Sequence, residues 1–102
     1  MSELAKSLLQ KRRKDYGLRQ DGTAKGPGFL GELPNKKGGF STELSIGVDG
    51  EDIPSLVPSL SKREINNAVN YNRFDGRVVR KAMKNALERR RQGKSVYKEW
   101  GE

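Results

Sequence analysis

Ser41-Thr42-Glu43-Leu44-Ser45-Ile46-Gly47-Val48, followed at once by Asp49-Gly50 and Glu51-Asp52-Ile53, decides how this chain folds. Thr42, Leu44, Ile46 and Val48 alternate with Ser41, Glu43, Ser45 and Gly47, the period-2 pattern of a strand with one buried face. Asp49-Gly50 is a tight-turn pair, so the chain is expected to return through Glu51-Asp52-Ile53 as an antiparallel partner. A two-stranded hairpin is unstable alone in water, so the apolar face of this one needs a cover.

The sequence downstream supplies that cover. Pro54-Ser55-Leu56-Val57 and Pro58-Ser59-Leu60 form a near-repeat in which each proline bars helix just before it, which predicts an extended crossover with Leu56, Val57 and Leu60 turned inward. Ser61-Lys62-Arg63-Glu64 has capping-box spacing and predicts a helix over about 62–71, with Ile65, Ala68 and Val69 on one face. A break near Asn72–Phe74 precedes Asp75, which caps a longer helix over about 76–92. There Val78, Val79, Ala82, Met83, Ala86 and Leu87 recur as a sustained apolar stripe, and Gly93 ends it.

Upstream, glycines at 22, 26, 28, 31, 38 and 39 mark turns, with a short strand expected near Phe29–Leu33 and a loop over 34–39. Residues 2–15 read as a helix capped by Ser2, with Leu4, Ala5, Leu8 and Leu9 as a short stripe and Lys11, Arg12, Arg13 and Lys14 in the last turn. That helix is either a surface helix with a solvated basic end or an arm that docks its leucines on another subunit. The fold expected is α+β: a small antiparallel sheet (about 28–33, 41–48 and 51–54) covered by two C-terminal helices, with a basic N-terminal arm. Its parts are an arm (1–18), a domain (19–97) and a tail (98–102). The expected core is Phe29, Leu33, Leu44, Ile46, Val48, Ile53, Leu56, Val57, Leu60, Ile65, Val69, Val78, Val79, Ala82, Met83, Ala86 and Leu87.

Composition limits the function classes. Of 102 residues, 32% are hydrophobic and 33% charged, so any core is small. Cysteine and histidine are absent, which removes disulfides, the commonest general base and the commonest metal ligand. No apolar run approaches the roughly 20 residues that cross a bilayer, and Met1-Ser2-Glu3 opens no signal-peptide core, so the expectation is a protein made in a cytoplasm with no membrane partner. The net charge of +8 is segregated. Residues 1–20 hold six basic and two acidic groups, 21–60 three and six, and 61–102 twelve and five. Such segregation points to a directed surface that meets an anion-rich partner.

The basic groups are the candidate contact residues. Besides Lys11, Arg12, Arg13 and Lys14, the last helix places Arg77, Arg80, Lys81 and Lys84 opposite its apolar stripe and ends in Arg89-Arg90-Arg91. These cations are either a solvated helix face or a surface for phosphates or acidic protein. Tyr97 and Trp100 either anchor in a partner pocket or fold back to complete the core, and the second reading is preferred. The helix pair is not read as a DNA-reading helix-turn-helix, because its second helix starts with glycine and commits a face to the apolar stripe. Asp21, Glu32, Glu43, Asp49, Glu51 and Asp52 are the acidic candidates for catalysis. They match no EF-hand, and the glycines match neither a P-loop nor a dinucleotide fingerprint. No catalytic, cofactor or metal residue and no small-molecule substrate is assigned.

The stretch Arg19-Gln20-Asp21-Gly22-Thr23-Ala24-Lys25-Gly26-Pro27-Gly28-Phe29-Leu30-Gly31, then Ser41–Val48, then Ile53-Pro54-Ser55-Leu56-Val57-Pro58-Ser59-Leu60, and finally Gly93-Lys94-Ser95-Val96-Tyr97, resembles a module of tailed-bacteriophage genomes. The resemblance covers roughly residues 19–97. The module occurs alone and within internal or injected virion proteins. The short Asp49-Gly50 turn and the very basic N-terminal segment depart from it. The resemblance implies a non-enzymatic minor structural component of a phage particle, at the head–tail axis, the tail or an internal ejection assembly. Its partners would be other virion proteins and further copies of itself. The alternative is a basic accessory protein directed at DNA or at a host component.

Overall fold

The computed structural model describes residues 15–100 and residue 102. The helix expected over 2–15, with Lys11, Arg12, Arg13 and Lys14, lies outside the described residues apart from Asp15.

The architecture is α+β. Four short strands, β1 (Leu33–Pro34), β2 (Phe40–Ser41), β3 (Ser45–Val48) and β4 (Glu51–Pro54), precede two helices, α1 (Lys62–Tyr71) and α2 (Gly76–Arg91). The strands form two separate antiparallel pairs, β1–β2 and β3–β4. This corrects the single three-stranded sheet expected from sequence. Residues 28–30 form a turn, and residues 42–44 leave the ladder between the two pairs. Leu44 stays committed to the β4 side, where its carbonyl accepts both the Ser55 N–H (2.8 Å) and the Ser55 hydroxyl (2.5 Å), so the hairpin ends there without joining β1–β2.

In the β3–β4 hairpin Ile46 faces Ile53 and Val48 faces Glu51. Asp49 (φ 51°) and Gly50 (φ 78°) both take left-handed backbone, the requirement of a two-residue turn that matches strand twist. Both helices begin as their sequences dictate. The Ser61 hydroxyl accepts the Glu64 N–H at 3.2 Å while the Glu64 carboxylate accepts the Ser61 N–H at 2.9 Å. Asp75 accepts the Val78 N–H at 3.0 Å. Helix α1 stops at left-handed Asn72. Helix α2 stops at Gly93, where the Lys94 N–H reaches the Arg89 carbonyl (2.8 Å) and the Gly93 N–H reaches that of Arg90 (2.9 Å), the two bonds of a Schellman end.

The core has two parts. Leu56, Val57, Leu60, Ala68 and Val78 are buried together, flanked by Leu30, Leu33, Leu44, Ile65, Val69 and Phe74, so the proline-bounded crossover runs through the middle of the protein. Ile53, Ala82 and Ala86 form the second part, with Ile46, Val48, Met83 and Val96 around them, and seal the hairpin onto α2. Each fully buried aliphatic side chain contributes about 1.5–3 kcal/mol. Three expected core positions differ. Phe29 and Val79 are half-buried and lie outside both clusters, and Leu87 is 57% exposed. A two-stranded hairpin is too narrow to cover the whole stripe, so its 87 edge runs out from under the cover and lines a small groove with Val48, Asp49 and Met83.

Candidate functional site

Two groups of charged residues stand out, one turned inward and one outward. The inward group centres on Glu43, which strand alternation had placed on the exposed face and which is 6% exposed. The Arg19 guanidinium grips it in a fork, Nε to Oε1 at 2.9 Å and Nη2 to Oε2 at 3.2 Å, and the Gly26 N–H adds a third bond at 3.0 Å. Arg19 also bonds the Thr23 hydroxyl (3.0 Å) and lies 4.3 Å over the centroid of the Tyr97 ring. Burial alone would lower the arginine's pKa, but the hydrogen bond and charge of Glu43 raise it above the ordinary value. Asp21 accepts both the N–H (3.0 Å) and the hydroxyl (2.6 Å) of Thr23, which hold its carboxyl below the usual range. Gly28 (φ 72°) sits where an added Cβ would lie 2.2 Å from the Thr42 carbonyl oxygen.

This group is a clamp rather than a reactive centre. Each oxygen of Glu43 accepts from the chain itself, and burial pushes the Tyr97 phenol up, aided by the charges of Asp52 and Glu43 and opposed by its bond to Ser45. A neutral phenol hydrogen-bonded to Ser45 is a structural partner at physiological pH. Among the described residues no cluster of three or more acidic side chains is arranged to hold a metal ion. Asp49, Glu51 and Asp52 are exposed around the hairpin turn, and Glu51 pairs with Arg90.

The outward group lies between the two helices. A cleft of about 610 Å³ is lined by Arg63, Glu64 and Asn67 from α1 and by Arg77, Arg80 and Lys81 from α2, with the caps Ser61 and Asp75 at its edges. Lys81 crosses it to bond Glu64 at 2.6 Å. That bond, with the Ser61 N–H, brings the Glu64 carboxyl down to about 2. Asp75 is engaged by its own helix. Arg63, Arg77 and Arg80 are exposed and have no hydrogen-bond or ion-pair partner among the described residues. The cleft therefore offers three uncommitted guanidiniums beside one carboxylate paired with Lys81 and a second, Asp75, that caps α2.

The candidate contact residues divide accordingly. Arg77 and Arg80 face the cleft, Lys81 lines it but is paired, and Lys84 is exposed one turn beyond Arg80. Arg91 is exposed and pairs with Glu88 at 3.1 Å, and Arg90 pairs with Glu51. Arg89 departs from the expected outward row. It is buried, and its guanidinium bonds the carbonyls of Ser95 (2.6 Å) and Tyr97 (3.1 Å) and the carboxylate of Glu102 (2.7 Å). Helix rotation explains this, since position 89 falls on the stripe of Val78, Ala82 and Ala86. Tyr97 is buried, as the preferred reading of the tail had it. The Trp100 ring lies 6.0 Å from that of Tyr16. Arg63 and Asn67 were missed by sequence reasoning because they belong to the shorter helix. The one available signal was that Arg63 follows Ser61 on the capped, outward turn.

No helix among the described residues is long and apolar enough to cross a membrane. No family model, no curated protein and no solved structure matches this chain.

Proposed function

We propose that this chain is a minor structural component of a bacteriophage particle, seated at the head–tail axis, in the tail or in an internal ejection assembly. It works there by macromolecular contact and performs no catalysis of its own. The protein is made in the host cytoplasm and carried in the virion, where its neighbours are other virion proteins and further copies of itself. The observation that carries this reading is where the phage-like residues fall. Gly26, Gly28, Thr42 and Glu43, and the run Ile53–Val57, are all buried. Arg19, Asp21 and Thr23 knit the first loop through their own hydrogen bonds. A motif made of glycine turns, a buried ion pair and the buried run Ile53–Val57 specifies a shape, which suits a module reused in different virion contexts. A shared catalytic motif would instead converge polar groups on an open pocket.

Mass spectrometry of purified particles tests the proposal. The chain is expected at a fixed ratio to the major head or tail subunit, and its absence from particles overturns the reading. The second reading, a basic accessory protein acting on nucleic acid or a host component, is favoured by the cationic cleft.

A further inference from the structure

We infer that the cleft between α1 and α2 is a docking site for the phosphate backbone of nucleic acid, gripped by Arg63, Arg77 and Arg80. This inference concerns the purified chain and does not depend on its belonging to a particle.

Three observations point to phosphate. The first is chemical supply. Three guanidiniums have no partner among the described residues; of the two acids beside them Glu64 is paired with Lys81, and Asp75, which caps α2 through the Val78 N–H, leaves the three in excess of negative charge. A guanidinium presents a planar fork that matches a phosphate bidentately, which an ammonium does not. The second is placement. An added Cβ on Gly76 would lie 3.5 Å from the Arg80 Nη1, so this guanidinium lies over the first turn of α2, where backbone N–H groups reinforce its charge. Arg77 and Arg80 are three residues apart and Lys84 four further on, neighbours on one helix face at spacings of about 5–6 Å. That row continues the cleft outward as a track for successive phosphates.

The third observation separates nucleic acid from an acidic protein. None of the nine residues lining the cleft carries an apolar side chain. A protein partner would find no hydrophobic anchor there, whereas protein interfaces draw their energy from a buried apolar or aromatic centre. A sugar–phosphate backbone needs only donors and positive charge. The cleft also holds no aromatic ring on which a base could stack. Recognition is therefore of the backbone, insensitive to sequence.

The test uses the full chain and fluorescence anisotropy on fluorescein-labelled DNA duplexes, between about 50 and 200 mM salt. Two duplexes of unrelated sequence are expected to bind alike. In R77A/R80A the slope of log affinity against log salt is expected to fall by about two, one for each lost phosphate contact. K37A/K94A, which removes the same charge from exposed sites outside the cleft, is expected to leave the slope unchanged. R77E/R80E is expected to weaken binding further, and circular dichroism should show its helices intact, because glutamate is a good helix former and position 77 lies in the first turn, where an acid suits the helix dipole. The inference is overturned if the wild-type chain does not bind at low salt, or if the two alanine pairs lose affinity equally. It is also overturned if poly-glutamate binds more tightly than duplex, which would give the cleft to an acidic protein.

Discussion

Around Glu43, in residues 15–44, order comes from polar groups. A buried carboxylate collects three donors, Asp21 fastens Thr23, and Gly28 lies flat against Thr42. In residues 61–91 order comes from apolar periodicity, with Val78, Ala82 and Ala86 turned inward and caps closing the helix ends. The first region is organised by one buried ion pair, Arg19–Glu43, with its remaining charges exposed around it. The second buries its aliphatic side chains and leaves arginines outside. A small, highly charged chain thus divides its labour: one half relies on a buried ion pair to fix a shape, and the other uses hydrophobic burial to leave cations free.

Substitutions can break this contrast at its strongest point first. Glu43→Ala strands the Arg19 guanidinium among groups that cannot replace a carboxylate, and urea unfolding should show a loss of about 4 kcal/mol. Replacing the pair together, R19M/E43L, should recover much of that loss, since apolar residues remove the uncompensated charge. Gly28→Ala demands a left-handed alanine and drives its Cβ into the Thr42 carbonyl, a cost of about 3 kcal/mol by the same measurement.

A smaller effect comes from pH. The folded-state pKa of Glu64 is about 2, below its ordinary 4.5, so its contribution is complete above pH 4.5 and fades as pH falls towards 2. Glu64→Gln should lower stability modestly across the neutral range and converge with the parent chain as pH falls towards 2, which flattens that part of the acid-unfolding curve. The smallest effect belongs to Leu87→Ser, which should alter stability by less than about 0.5 kcal/mol although the residue lies on the apolar stripe. A large loss there would mean that the hairpin covers more of α2 than its width allows.

These differences also explain what was legible in the sequence. Helix α1, helix α2, their caps and the Asp49-Gly50 turn were readable because each depends on residues within a few positions of one another. The burial of Glu43 was not, because its partner Arg19 is 24 residues away and no periodicity announces such a pairing. Alternation in fact misplaced Glu43, since Thr42 and Glu43 are buried side by side where the chain leaves the ladder. The outward row on α2 was legible from helical spacing. Its partner wall, Arg63 and Asn67, depends on how two helices meet, which a single helix cannot reveal. Arg89 shows the same limit: a run of three arginines reads as one unit, yet helical rotation sends its members in different directions.

Tyr97 joins the two halves. Its ring lies under Arg19, its hydroxyl is bonded to Ser45, and its carbonyl accepts from Arg89 on α2. One residue near the end of the chain is therefore stitched to the loop region, the hairpin and the long helix at once. Neither half can come apart without pulling on the other, so calorimetry should record residues 15–100 melting as one event with a single heat-absorption peak.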